Sequence, residues 1–176
     1  MCCRYYSEES PELRAIVEEM NRSPLVWKWQ RTCAVKSYGE MRPTDVVPVI
    51  APNRSGNRAV FPMKWGYIGK TLLINARTET TAEKPTFKED WMKHHCIIPA
   101  SWYFEWEHRP GNDGKKHTGD KYMIQPKGCT MTWICGLYHV EEGLPHFVIL
   151  TREPGEEIRF IHDRMPLIMP EELVNE

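Results

Sequence analysis

The sequence predicts a mixed α/β, strand-rich single domain whose curled sheets form a closed or pseudo-barrel with a few peripheral helices. Three observations carry this reading. From Val46 onward short apolar runs follow one another, most of them bounded by Pro, Gly, Asn or Asp, which is the texture of many short strands. Helical patterning is confined to two or three inserted segments, too few to supply the crossovers of a doubly wound parallel sheet. Fourteen prolines favour short, bent strands and irregular connections over long central ones.

The elements follow in order. Ser10-Pro11 reads as a helix N-cap with proline at the first helical position, and Leu13, Ile16, Val17 and Met20 then recur at helical spacing, so one amphipathic helix starts here. The strand runs are VVPVI, AVFPMKWGYI, TLLINA, CIIPA, WYFEW, KYMI, TMTWICGLYHV and HFVIL. Between the third and fourth, Thr86-Phe87-Lys88-Glu89 has the pattern of a capping box for a short helix that turns Phe87 and Trp91 inward. Residues 108–120, HRPGNDGKKHTGD, are polar and contain Asp113-Gly114, which predicts an exposed loop between two strands. A chain of 176 residues without repeat or linker is expected to be one domain over 1–176.

Composition narrows the function classes. The chain is 41% hydrophobic and 27% charged, with a mean hydropathy of -0.55. No stretch approaches the eighteen or more apolar residues of a membrane span, and the first twenty residues lack the apolar core of a secretory signal. The expected location is the cytoplasm. Six cysteines include no CxxC pair and seven histidines no HExxH spacing, so neither a structural metal nor a cofactor is expected. The net charge of -1 argues against purely electrostatic nucleic-acid binding, yet residues 137–176 carry nine acidic against three basic side chains, which leaves residues 1–136 at +5. A local basic face is therefore allowed, beside the plainer reading of a mixed solvated surface.

The chemistry begins at the amino terminus. Met1 precedes a small residue, and its removal would expose Cys2 as a terminal 1,2-aminothiol, whose amine and thiol titrate at about 8 and about 8.5 in model peptides. Such a group condenses with an aldehyde to an imine and closes through sulfur to a thiazolidine, and it can also act as an amide-cleaving nucleophile. Arg4 offers a phosphate clamp two residues on. Asn75 and Arg77, two apart at the end of the TLLI run, share a face and can hold an oxyanion or phosphate, or Asn75 can simply cap a strand end. Glu105 is the one carboxylate of the aromatic segment WYFEW, where desolvation would raise its pKa into the range of a general acid or base, unless it faces solvent from an edge strand. His162, followed by Asp163 and Arg164, is the side chain best suited to proton transfer near neutrality.

Taken together, MCCR at 1–4, WG at 65–66, INARTET at 74–80, IIPASWYFEW at 97–106 and IHDRMP at 161–166, in that order, resemble the SOS response-associated peptidase or abasic-site processing (SRAP) domain family over essentially the whole chain. The resemblance implies a pseudo-barrel that binds single-stranded DNA containing an abasic site and links itself covalently to it. On this reading Cys2 matches the nucleophile, Asn75, Glu105 and His162 match active-site positions, and Arg4, Arg77, Trp65 and Trp106 are assigned to the DNA. A monomer is implied, bound to the nucleoid when engaged on DNA in a bacterial cell. The chain departs from the family pattern in four places. Cys3 stands where the family commonly has glycine, and Tyr38–Thr44 replaces an Asn-Val-Ala-Pro type segment. The connection from Trp65-Gly66 to Asn75 lacks a tryptophan-containing loop. The carboxyl-terminal extension of many relatives is expected to be missing.

Two other readings stay open. A thiol peptidase that removes Met1 or cleaves other peptides would use the same Cys2, with Asn75 as oxyanion donor. A non-catalytic single-strand DNA-binding module would explain the aromatics and arginines but not the terminal cysteine or the Glu105–His162 combination.

Overall fold

In the computed structural model, residues 1–174 are described, and the short apolar segments resolve into strands with three α-helices among them. β1 (Tyr5–Ser7) leads into α1 (Pro11–Asn21) and α2 (Leu25–Gln30). β2 (Gly39–Met41), β3 (Val46–Pro52), β4 (Arg58–Trp65), β5 (Tyr67–Ile68), β6 (Leu72–Leu73) and β7 (Asn75–Arg77) follow, and then α3 (Lys88–Lys93). The remainder is β8 (His95–Ala100), β9 (Trp102–Pro110), β10 (Lys116–Ile124), β11 (Thr132–Glu141), β12 (Leu144–Arg152), β13 (Met165–Pro166) and β14 (Ile168–Met169).

Strands β12-β4-β3-β8-β11 pair in that order, and β11 closes on β12, which makes a five-stranded barrel; only the β12–β4 rung in the ring is parallel. Closure explains the texture of the runs. β3 is buried from Val46 to Ala51, and β12 from Pro145 to Thr151, because one face fills the barrel and the other lies under helices or loops. Pro48 and Pro62 stand opposite each other in the β3–β4 register, so the two missing donors fall on the same rung of the ladder. A second antiparallel sheet, β10-β9-β1-β2, leans against the barrel.

Side chains from both sheets share one core. Val47, Val49, Met63, Trp65, Ile98, Ile134, Phe147 and Ile149 of the barrel pack with Cys2, Tyr5, Met41 and Tyr103 of the second sheet and its approach. Outside the barrel wall, Leu13, Ile16, Val17 and Met20 of α1 cluster with Ile50 and Val60. The helix starts where the sequence predicts, with Ser10 Oγ accepting from Leu13 N–H at 3.3 Å and Pro11 at its first position.

Two local expectations are corrected, and one short helix is added. The Thr86–Glu89 capping box does not form: Phe87 occupies the cap of α3 with no side-chain cap bond, and its ring is buried against Tyr67. Burial of Phe87 fixes the helix start in place of the cap. The loop expected over 108–120 is mostly strand, since β9 runs to Pro110 and β10 begins at Lys116, leaving a tight turn whose Gly114 has φ +75°. Polar residues on both faces of an exposed hairpin imitate a loop in sequence. α2 went unforeseen, because LVWKWQ is one short turn-and-a-half whose Val26 and Trp29 are buried.

This topology gathers four chain segments. β1 brings the amino terminus beside β9, β7 pairs in parallel with β12 at the barrel edge, and the chain leaving β12 returns past the end of β9, where His108 N–H donates to Ile161 O at 2.9 Å.

Candidate active site

β9 alternates, so Tyr103 and Glu105 turn inward while Trp102, Phe104 and Trp106 turn outward. Glu105 is thereby 4% exposed. Its Oε1 accepts from the Trp106 N–H at 3.1 Å, and Oε2 has no hydrogen-bond partner. Burial pushes the carboxyl up to about 7, against the opposing pull of the terminal ammonium and the Trp106 N–H.

His162 lies opposite, also buried, its Nδ1 accepting from Arg164 N–H at 3.0 Å. Its Nε2 is 3.9 Å from Glu105 Oε1. Burial, the nearby terminal ammonium and His108, whose ring centroid is 3.9 Å away, hold it down to about 4. The imidazole is therefore neutral near pH 7, whereas the carboxyl titrates in that range.

The Met1 amine sits between the two, 2.7 Å from His162 Nε2 and 3.5 Å from Glu105 Oε2. Cys2 follows it, 1% exposed, with its carbonyl accepting from Asn75 Nδ2 at 3.1 Å. Asn75 Oδ1 is buried with no partner. The cleft over these groups measures about 410 Å³ and is lined by Met1, Cys3, Glu105, Trp106, His108, Thr118 and His162. A larger cavity of about 630 Å³, lined by Tyr103, Ile124, Met131, Trp133, Met165 and Ile168 among others, brings no imidazole to its wall.

The motif segments lock to one another. Arg164 makes a forked pair with Glu79 at 3.1 and 2.9 Å and also donates to Thr151 O at 2.8 Å, so the HDR turn is bolted to the INARTET strand end. Arg77 is exposed, and among the described residues it has no ion-pair partner. Arg4 Nη1 donates to the Cys3 carbonyl at 2.7 Å and Nε is 3.7 Å from Glu40.

The sequence-derived site residues thus separate. Cys2, Asn75, Glu105 and His162 converge, with Trp106 on the rim, Arg4 beside it and Arg77 on the outer surface. Trp65 does not face the cleft and its assignment to DNA is corrected. The indole is fully buried, donates through Nε1 to Ile74 O at 3.0 Å, and packs 6.0 Å from Phe147 and 5.5 Å from Tyr5 between ring centroids. Gly66 after it has φ +131°, where a Cβ would meet Leu72 Cδ1 at 2.5 Å, so the Trp-Gly pair is a packing and turning device. Trp65→Ala is expected to lower stability by about 3–5 kcal/mol, read by chemical denaturation; a base-wedging role would leave stability intact.

The reading of Cys2 also changes. Burial, followed by the nearby Glu105 carboxylate, pushes its thiol well above the usual range, so with Met1 in place the sulfur is held as a neutral thiol. His108 was not singled out in the sequence, where it stood inside a polar stretch. It stands three residues past Glu105 on β9, where strict alternation would put it on the opposite face, so no local pattern marks it. His108, His162 and Asp163 bring ligand-type atoms within 4.8 Å of one another. Cations of the chain stand beside them, Lys116 Nζ 3.5 Å from Asp163 and the Met1 amine 2.7 Å from His162 Nε2.

Known proteins are similar to the chain over most of its length. The family model described as SOS response associated peptidase (SRAP) matches residues 1–176. The abasic site processing protein YoqW of Bacillus subtilis (strain 168) is 32% identical over 149 residues, covering 77% of this chain and 63% of its own. The abasic site processing protein YedK of Escherichia coli (strain K12) is 34% identical over 121 residues, covering 65% and 53%. The chain thus spans less than two thirds of the length of these curated relatives. A crystal structure of a protein from Bacteroides thetaiotaomicron shares the fold at a TM-score of 0.69 and 24% identity, covering 97% of this chain and 78% of that one. Another from Bordetella bronchiseptica does so at 0.70 and 21%, covering 99% and 86%. With the family model matching from end to end, the chain belongs to the SOS response-associated peptidase, or SRAP, family.

Proposed function

We propose that the chain captures abasic sites in single-stranded DNA, linking its amino-terminal Cys2 to the sugar aldehyde as a thiazolidine. One observation carries the reading: a terminal amine is held between a buried carboxyl near its midpoint and a neutral imidazole, immediately before Cys2. Loss of Met1 by hydrolysis moves the terminus back by one residue, about 3.8 Å, and opens the volume between Glu105 and His162. That space suits the ring-opened deoxyribose, which needs no base flipping because the base is gone.

The steps balance. The neutral Cys2 amine adds to the aldehyde carbon, and one of its two protons passes to the aldehyde oxygen, which becomes a hydroxyl; His162, whose Nδ1 accepts from Arg164, presents its Nε2–H as a donor to that oxygen. The protonated Glu105 gives its proton to the departing hydroxyl, one water leaves, and the resulting carboxylate takes the remaining proton from nitrogen, so an imine remains. The Cys2 thiol then adds across the C=N bond: sulfur bonds to carbon, the thiol proton ends on nitrogen, and the five-membered ring is closed. Asn75 fixes the Cys2 carbonyl through Nδ2 and offers the free Oδ1 to the ring nitrogen or the sugar. The imine also permits β-elimination of the strand, with which ring closure competes, so lyase activity is minor. Arg4 and Arg77 are assigned to phosphates and Trp106 to a base at the rim. The protein acts as a monomer in the cytoplasm, on the nucleoid when DNA-bound in a bacterial cell.

General proteolysis is less well supported. Asn75 Nδ2 binds the carbonyl of Cys2, one residue beyond the Met1 carbonyl on which the oxyanion of self-cleavage would form. Removal of Met1 alone remains compatible with the site.

The deciding experiment is the intact mass of the purified protein, followed by incubation with abasic and with undamaged single-stranded oligonucleotides and denaturing electrophoresis. The expected result is loss of Met1 and a heat-stable adduct with abasic DNA only. No adduct, or equal adducts with both DNAs, would overturn the proposal.

A further inference from the structure

The outward face of the β10-β9-β1-β2 sheet is not used by the chemistry above. Alternation along β9 turns Trp102, Phe104 and Trp106 to this side, and the register sets Tyr6 of β1 directly opposite Trp102. The Tyr6 and Trp102 rings stack at 4.9 Å and 4°, with Phe104 edge-on to Tyr6 at 6.4 Å. None of the four aromatics is fully buried, and Met123 beside Phe104 is 58% exposed.

Cations ring the same face. Glu40 of β2, opposite Tyr6, collects Lys121 at 3.1 Å, Arg4 at 3.7 Å and Arg42 at 3.9 Å, so three positive charges share one carboxylate. Lys121 reaches Glu40 by lying across the aromatics, its Nζ 4.1 Å from the centre of Phe104 and 5.2 Å from that of Trp106. The patch adjoins the cleft through Trp106, which belongs to both.

We propose that this face is a second nucleic-acid surface, on which the unpaired strand flanking the lesion lays two or three bases over Trp102, Phe104 and Tyr6 while Arg42 and Lys121 take its phosphates. It rests on the single-strand reading given above and extends it to residues outside the cleft. Charge complementarity and continuity with the cleft select this occupant: a sheet that offers ring faces beside excess positive charge matches the two repeating parts of a single strand, bases and phosphates. From Trp102 to Trp106 the strand runs about 13 Å, the span of a few stacked bases. Glu40 acts as the latch. In the free protein it holds Lys121 down over the rings; a phosphate that takes Lys121 uncovers Phe104, so base stacking and phosphate pairing arrive together.

The test is fluorescence anisotropy of an undamaged oligothymidylate of about 12 nucleotides at several salt concentrations. Trp102→Leu combined with Phe104→Leu is expected to weaken binding about tenfold or more. Lys121→Gln should lower affinity less and reduce the salt slope by about one. Glu40→Gln should tighten binding, an outcome no merely structural role for Glu40 predicts. Capture rate on abasic DNA at saturating concentration should stay at the wild-type value in all of these. If the double variant fails to fold by circular dichroism, Lys121→Gln and Glu40→Gln decide alone. Wild-type affinity in both would overturn the proposal and leave an acidic protein segment as the occupant of this face. Absence of any covalent adduct, with these affinity changes present, would count against the capture chemistry and in favour of the surface.

Discussion

Cys2→Ala is expected to abolish the heat-stable adduct with abasic DNA, leaving at most a reversible association. The thiazolidine needs amine and thiol on adjacent carbons, and only residue 2 of the mature chain offers both. Alanine keeps the amine, so an imine still forms, but no sulfur closes it, and the product reverts or loses the strand by β-elimination. Cys2→Ser should give a weaker, more reversible linkage through oxygen. The substitution is modest for the fold, since it deletes one sulfur atom from the mixed core around Tyr5, Met41 and Tyr103. Single-turnover incubation followed by heating in denaturant reads the outcome. A Cys2→Ala protein that kept the full adduct would shift the nucleophile to Cys3, which lines the same cleft, or to a lysine. Retention of Met1 is predicted to block the reaction equally, because its amine fills the position between Glu105 and His162 and burial keeps the Cys2 thiol protonated.

Much of this was legible in the sequence because periodicity and punctuation are local. The eight apolar runs from VVPVI to HFVIL all became strands, and the closed barrel followed from their shortness and number. Alternation within WYFEW set Glu105 on one face and Trp102, Phe104 and Trp106 on the other, and of the two faces the structure turns that of Glu105 inward. What the sequence could not carry was tertiary. Nothing near Trp65 says that its indole meets Ile74 O and Phe147, contacts made across strands distant in the chain. The Arg164–Glu79 fork spans 85 residues, and the neutral state of His162 depends on burial beside the terminal amine and His108, both distant in the chain. The Cys2 thiol shows the same gap in electrostatics: its peptide reference value holds for an exposed terminus, while the folded chain puts it in the core beside Glu105.

Glu105→Gln is expected to slow capture by roughly 10²-fold or more, the scale for a positioned proton-transfer group, with DNA affinity kept. The pH dependence separates this from a structural effect. With the Met1 amine in place His162 is held near 4 and Glu105 near 7; burial, the leading cause of both shifts, does not depend on that amine, so across about pH 5 to 8 Glu105 is the member of the pair expected to change charge. If its protonated form delivers the proton to the departing hydroxyl, the wild-type rate falls as pH rises through about 7, and the glutamine variant, which cannot titrate, lacks that inflection. Stability runs in a direction that guards the interpretation. A buried carboxyl with a raised pKa binds its proton more tightly folded than unfolded, so its ionisation costs stability as pH rises from about 4.5 to about 7. Glutamine has no charge to bury, and the variant should therefore melt no lower than wild type at about pH 8 while reacting far more slowly. Melting curves and single-turnover capture kinetics over the same pH range give both numbers. Wild-type capture rates throughout would remove Glu105 from the rate-controlling step and leave His162, whose Nε2 lies 2.7 Å from the Met1 amine that precedes Cys2, as the remaining group.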